Sequence, residues 1–429
     1  MIHYVGVIIG LAVAVSLIVK KLNPVCALFL GTIVGALVGG ADLARTLEVI
    51  IGGSASVAGV IVRIVAGGVL AGVLIESGAA ETIARTIVTK LGEKYVLLAI
   101  VLAGTILTAA GIFITAAIVI LIPIALSVGK RANVSKTALL LALSGGAKAG
   151  NIISPNPNTV VLSEAFGLSV SDVMVAGAIP AVFGIVTSVF LASVLKRKGS
   201  AVADSDVDNS QNTDTRNLPP FAKAIVAPAL AIALLIISPI GNLLDIEAMR
   251  AFQIDAFFIL PFAAAVGAIV LGKGKSMLMF ANSGIVRMTP IILILTGAGA
   301  FGRLITESTL PGMIVNMISA AGIPYVLLAP ISGTLMASAA GSTVTGTILA
   351  TDAFALQILA AGVAPAAAAV MVHTGAVFID IMPHGNIFLA SKEGMKMETK
   401  ERLKLFPYEA LVGGIMVVVS TILFGFIMG

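Results

Sequence analysis

Residues 95–128 read YVLLAIVLAGTILTAAGIFITAAIVILIPIALSV, an apolar run too long for a single crossing of a bilayer. Arg85, Lys90 and Lys94 precede it, and Lys130, Arg131 and Lys136 follow it. Lys and Arg collect on the cytoplasmic side of membrane proteins, so both ends of the run face the cytoplasm. The run therefore enters the membrane and turns back, with Ala109-Ala110-Gly111 at its tip.

The same pattern returns later in the chain. Tyr95-Val96-Leu97-Leu98-Ala99 recurs as Tyr325-Val326-Leu327-Leu328-Ala329, Gly104-Thr105 as Gly333-Thr334, and Ala109-Ala110-Gly111 as Ala339-Ala340-Gly341. Glu76-Ser77 recurs as Glu307-Ser308, and Pro155-Asn156-Pro157-Asn158 as Pro383-His384-Gly385-Asn386. The offset stays between 228 and 231 residues, which marks an internal repeat.

Outward from these hairpins the whole chain is apolar. It is 59% hydrophobic and only 11% charged over 429 residues, with a mean hydropathy of +1.12, too little charge for the surface of a soluble domain. Runs of spanning length recur throughout, so the fold class is an all-α integral membrane protein. The first segment, Tyr4 to Val19, lacks a basic leader and a cleavage site and reads as a retained span. The single Cys26 excludes an internal disulfide and any cysteine-rich metal site. The net charge of +5 does not indicate nucleic acid, because the positive residues flank apolar spans.

Charge sorting gives the topology. Arg45 and Arg250 fall outside, Arg63, Lys148, Arg287 and Arg303 lie in or near spans, and the other 20 of the 26 basic residues fall inside. No Lys or Arg occurs between Arg303 and Lys392, as expected if the second hairpin dips in from the outer face. The first copy starts inside and the second outside, so the two repeats are inverted. Residues 199–220 are polar and acidic without apolar periodicity, and read as a disordered cytoplasmic linker.

Each repeat is interrupted twice. The hairpin tips are residues 108–115 and 338–345, and the broken crossings are interrupted at 151–159 and 380–386. A break in a spanning helix persists where it lines a cavity, and paired breaks present helix ends to an ion or anion at mid-membrane. The expected substrate ligands are Thr108, Gly111, Thr115, Asn151, Ser154, Asn156, Asn158, Thr159, Ser338, Gly341, Ser342, Thr343, Thr345 and Asn386. Their hydroxyls and the N–H groups at helix starts suit a carboxylate, and freed carbonyls and Asn oxygens suit a small cation. The competing structural reading is that Gly, Ser and Thr permit close helix packing.

The paired hairpins and broken helices resemble the ion transporter superfamily, and more narrowly the gluconate permease family of sugar-acid:proton symporters. Gly341-Ser342-Thr343-Val344-Thr345 resembles that family's Gly-Ser-Ala-Thr-Val hairpin motif, and Leu121-Ile122-Pro123 its post-hairpin Leu-Ile-Pro. Ser154-Pro155-Asn156-Pro157-Asn158 stands where the family has a Pro-Pro-x-Pro-Gly-Pro break. The family's His before that break is absent. Its Ser-His-Val-Asn-Asp motif appears here as Asp380-Ile381-Met382-Pro383-His384-Gly385, which makes this a distant member. The resemblance implies a homodimer with elevator-type alternating access. Scaffold spans would be residues 1–50, 173–198, 221–280 and 401–429, and transport units 51–172 and 281–400.

Ionisable residues inside spans are functional candidates. Asp380, beside Pro383, is the expected proton-coupling carboxylate, and His384 is the second candidate. His373 either relays protons or is satisfied by a neighbouring carbonyl. Lys148 either balances a substrate carboxylate or snorkels to the cytoplasmic surface, the latter being preferred. Arg63, deeper in a span, is expected to form an intramembrane pair with a carboxylate, Glu76 and Glu307 to act as caps or interface residues, and Asp352 fits either a structural or a functional role.

The function implied is a secondary active transporter importing a small organic anion such as gluconate or glycerate, driven by a proton gradient. It needs no cofactor and no metal. A sodium-coupled di- or tricarboxylate carrier is the alternative. An intramembrane enzyme is disfavoured, since no His-Glu-x-x-His or comparable constellation occurs.

Overall fold

A computed structural model describes residues 1–20, 22–207, 218–320, 322, 324–383 and 385–428. Every regular element among them is a helix, apart from an isolated bridge between Ile2 and Ser308. The first series begins with α1 (Tyr4–Val19), α2 (Pro24–Val38), α3 (Leu43–Ser56), α4 (Ala58–Glu76) and α5 (Ala79–Leu91). It continues with α6 (Val96–Ala109), α7 (Ile114–Arg131), α8 (Lys136–Ile152), α9 (Pro157–Phe166), α10 (Val170–Ala176) and α11 (Ala178–Val194). The second series opens with α12 (Phe221–Ala224), α13 (Val226–Leu244), α14 (Glu247–Arg250), α15 (Ala256–Val270), α16 (Met277–Thr306) and α17 (Leu310–Ala320). It ends with α18 (Leu328–Ala340), α19 (Thr343–Ala360), α20 (Pro365–Phe378), α21 (Asn386–Gly394) and α22 (Thr399–Ile422). Among the described residues six helices are long and apolar enough to cross a membrane, or up to eight if each bent pair is one span.

Shifted by about 230 residues, α5 to α9 fall on α17 to α21, and the α3–α4 pair falls on the single long α16. The match extends to individual hydrogen bonds. Thr105 Oγ1 donates to the carbonyls of Val101 (2.9 Å) and Gly146 (3.1 Å). Thr334 Oγ1 donates to those of Pro330 (2.8 Å) and Gly375 (3.2 Å), each position displaced by 229. Gly146 and Gly375 are required there, because a Cβ would overlap the Val101 and Pro330 carbonyls. The two tight arm-to-crossing contacts are thus one design used twice.

The repeats meet back to back. Gly68 of α4 lies against Gly284 of α16, and Gly53 of α3 against Gly299. Residues 68 and 299 are repeat partners, as are 53 and 284, so exchanging the repeats turns one contact into the other. The contact order is antiparallel. Small residues let these backbones approach without side chains between them, the packing that stabilises helices where lipid removes the hydrophobic drive.

Several basic residues of the loops gather at one end of the molecule. Lys136 pairs with Asp206 at 2.8 Å, Lys130 pairs with Asp204, and Lys396 Nζ donates to the Ser205 carbonyl. Ser200 donates from both N and Oγ to Glu401, at 2.7 Å each. Burial alone would raise the Asp206 carboxyl, but the Lys136 hydrogen bond and charge outweigh it and hold it below the usual range. The start of the 199–220 stretch, expected to be free, is therefore docked. Its acidic side chains meet a basic end rather than water. Residues 208–217 lie outside the described residues.

The charge-sorted topology places residues 130 and 325 on opposite faces. Single cysteines there, in a Cys26→Ser background, should label from opposite sides with a membrane-impermeant reagent. Labelling of both from one side would overturn that topology.

Candidate functional site

The hairpin expected over residues 95–128 is formed by α6 and α7. Glu93 at its base lies 3.7 Å from Arg131 at the end of α7, so both ends close on one side. Gly111 turns the tip at φ +96°, a conformation open to glycine alone at little cost. In the second hairpin Gly341 turns at φ +62° after α18, and Ser342 caps α19, accepting from the Thr345 N–H at 3.4 Å.

The crossing formed by α8 and α9 breaks at 153–156. Pro155 disfavours helix at Ser154, and Pro157 suits the first position of a new helix. Asn156 stitches the gap. Its Oδ1 accepts from the N–H groups of Asn158 (2.8 Å) and Thr159 (3.2 Å). Its Nδ2 donates to both the carbonyl and the Oδ1 of Asn151, at 2.7 Å each. Thr159 Oγ1 donates to the Ser154 carbonyl at 2.5 Å. The orphan groups of a broken helix are thus satisfied from within.

Tip and break lie together in each repeat. Gly111 faces Pro155, and Gly385 at the second break packs on the Gly341 carbonyl. The two repeats are then joined across the centre by charge. Lys148 Nζ lies 2.6 Å from Asp380 Oδ1, with both side chains at most 1% exposed. Asp380 Oδ2 accepts from Thr343 Oγ1 at 2.6 Å. Lys148 also donates to the carbonyls of Val377 (2.7 Å) and Phe378 (3.4 Å), where α20 ends and leaves acceptors free. Lys148 does not snorkel to the surface as preferred from sequence: the opposite charge and the open carbonyls hold it inside. A further bridge runs from Asn151 Nδ2 to His373 Nε2, at 3.3 Å.

Thr108, Gly111, Asn151, Ser154, Asn156, Asn158, Thr159, Gly341, Thr343 and Thr345 are buried around this centre. Ser154 Oγ and Asn158 Oδ1 are buried without a hydrogen-bond partner among the described residues, so they retain capacity for a ligand. Ser342 and Thr115 are half-buried, Ser338 bonds back to the Leu335 carbonyl, and Asn386 is exposed. His384 lies outside the described residues. The Lys148–Asp380 partnership was missed in the sequence, although each is a lone charge of opposite sign beside a break. Arg63, expected to pair with a carboxylate deep in a span, instead pairs with the part-exposed Glu164 and Asp255 at the end away from the basic loops. Glu76 pairs with Arg287, and Glu307 with Arg45 and Arg303.

The family model for GntP family permeases matches residues 2–427. This chain belongs to that family. The permease is 45% identical over 421 residues to an uncharacterized transporter of Haemophilus influenzae, covering 98% of each. It is 26% identical to a high-affinity gluconate transporter of Escherichia coli, over 82% of each chain. It is 25% identical to the D-serine transporter DsdX of Escherichia coli, over 98% of this chain and 97% of that one. Its fold is similar to the crystal structure of the Alcanivorax borkumensis YdaH transporter, with a TM-score of 0.65, 17% identity and 90% of each chain covered. The permease is a multi-pass protein of the prokaryotic cytoplasmic membrane.

Proposed function

We propose that this permease imports a small hydroxy-carboxylate, of the gluconate or glycerate kind, together with one proton. The reading rests on the buried Lys148–Asp380 pair. The centre carries one positive and one negative charge and is neutral. A carboxylate entering alone would leave a negative charge unpaired in the membrane, which is costly. A proton on Asp380 restores neutrality and releases Lys148 to the incoming carboxylate, so proton and substrate bind with positive coupling. Ser154 Oγ and Asn158 Oδ1 are then available to substrate hydroxyls. A carboxylate with a nearby hydroxyl is also what gluconate and D-serine share. One lysine is poorly matched to a tricarboxylate.

The internal repeat and the antiparallel meeting of α3–α4 with α16 support inverted repeats that alternate access, the hairpin units moving against a dimeric scaffold. A sodium-coupled variant is the second reading, favoured by the same two uncommitted neutral oxygens, which suit a small cation.

Proteoliposomes with imposed gradients test this. Gluconate, glycerate, D-serine and citrate are offered under an inward proton or an inward sodium gradient. The expected result is accumulation of a monocarboxylate under the proton gradient, insensitive to membrane potential. Asp380→Asn, which fixes the neutral form, should lose accumulation and keep counterflow exchange. Accumulation under sodium alone would overturn proton coupling.

A further inference from the structure

A second carboxylate, half-buried, lies on α19. Asp352 packs against Gly302 of α16, where an added Cβ would overlap it. Its Oδ2 is buried and has no hydrogen-bond or ion-pair partner among the described residues. The elements packed on α19 are α9, α16, α17, α18 and α20. Of these, α17 and α18 carry no charged residue. Glu164 of α9 pairs with Arg63, Arg303 and Arg287 of α16 pair with Glu307 and Glu76, and His373 of α20 faces Asn151. None of these groups bonds to Asp352 among the described residues. A bare charge there would be uncompensated, whereas a carboxyl that holds a proton is not.

Asp352 has a cavity near it on one side and polar side chains on the other. An open cavity of roughly 870 Å³ is lined by His3, Thr306, Ser308, Thr309, Leu356 and Gln357, among others, at the end away from the basic loops. Leu356 lies one turn past Asp352 on α19, and Thr306 one turn past Gly302 on α16. The cavity therefore comes within about one turn, ~5.4 Å of rise, of the carboxyl. In the other direction Thr351, Thr347 and Thr343 follow at four-residue intervals, all buried, with the Thr351 and Thr347 hydroxyls donating to the Thr347 and Thr343 carbonyls and keeping their oxygen lone pairs. This stripe ends at the 2.6 Å bond from Thr343 Oγ1 to Asp380.

We propose that Asp352 is the entry site of the co-transported proton, taking it from water in this cavity and passing it along α19 towards Asp380. The Asp352 O–H bond forms with a proton from the cavity and breaks as Asp380 gains one, so charge balances at both carboxyls. The proposal rests on the proton-symport reading.

The test uses the purified full-length protein in lipid, followed by pH-difference infrared spectroscopy, which needs no substrate. The wild type should show a protonated-carboxyl stretch that disappears in Asp352→Asn, persists in Asp380→Asn and shifts in Asp352→Glu. In proteoliposomes, uptake under the proton gradient should fall at least tenfold in Asp352→Asn and return in Asp352→Glu, which also reports folding. A band unchanged in Asp352→Asn overturns the proposal. Loss of that band with wild-type uptake driven only by sodium keeps Asp352 as a protonation site, and overturns the coupling reading and with it the entry role.

Discussion

Lys148→Met should lower stability by about 3–5 kcal/mol, because it strands the Asp380 carboxylate without a counter-charge in a fully buried site. The variant also leaves the Val377 and Phe378 carbonyls at the end of α20 without their donor. Transport should be lost as well. The informative comparison is the double variant Lys148→Met/Asp380→Asn, which removes both charges. Its thermal stability in detergent should recover most of the loss, since two neutral groups replace a pair whose desolvation was expensive. Its gradient-driven uptake should stay at background, because neither the charge for the substrate nor the carboxyl for the proton remains. A double variant that transports would show the pair to be structural.

Arg402→Met is expected to cost a similar ~3–5 kcal/mol, for the same physical reason and with a different functional consequence. Arg402 and Glu409 of α22 are both 0% exposed and pair at 2.6 Å. The guanidinium donates to both carboxylate oxygens, donates from Nε to Ser391 at 3.0 Å and stacks 4.8 Å from the Phe388 ring centroid. Ser391 and Phe388 belong to α21, so this cluster fastens the second half of the broken crossing to α22. Among the described residues its bonds do not reach the Lys148–Asp380 pair. Arg402→Met/Glu409→Leu should therefore recover both stability and uptake, in contrast to the central pair. Thermal unfolding and uptake measured on the four variants decide it. Lost uptake in a stable Arg402→Met/Glu409→Leu protein would give this pair a role in the transport cycle.

The helical membrane class, the hairpins and the breaks were legible in the sequence because each rests on a local rule. Apolar length gives spans, Pro and Gly give interruptions, and a steady offset near 230 gives the repeat. Gly111 and Gly341 could be read as tips for the same reason: backbone geometry depends on the residue that adopts it. What those rules do not contain is which side chains meet. Lys148 and Asp380 are 232 positions apart, and a lone lysine near a span end is by local rules a snorkelling residue. Arg402 reads by charge as one more cytoplasmic cation, although Glu409 stands seven residues on, two turns along one helix face. The role of Asp352 is not legible locally, because its surroundings come from α16 and from the cavity beyond it. Sequence determines where a charge sits along a helix. Only the packing of distant helices decides whether that charge finds a partner, and in a membrane that difference is several kcal/mol, which separates a structural pair from a working site.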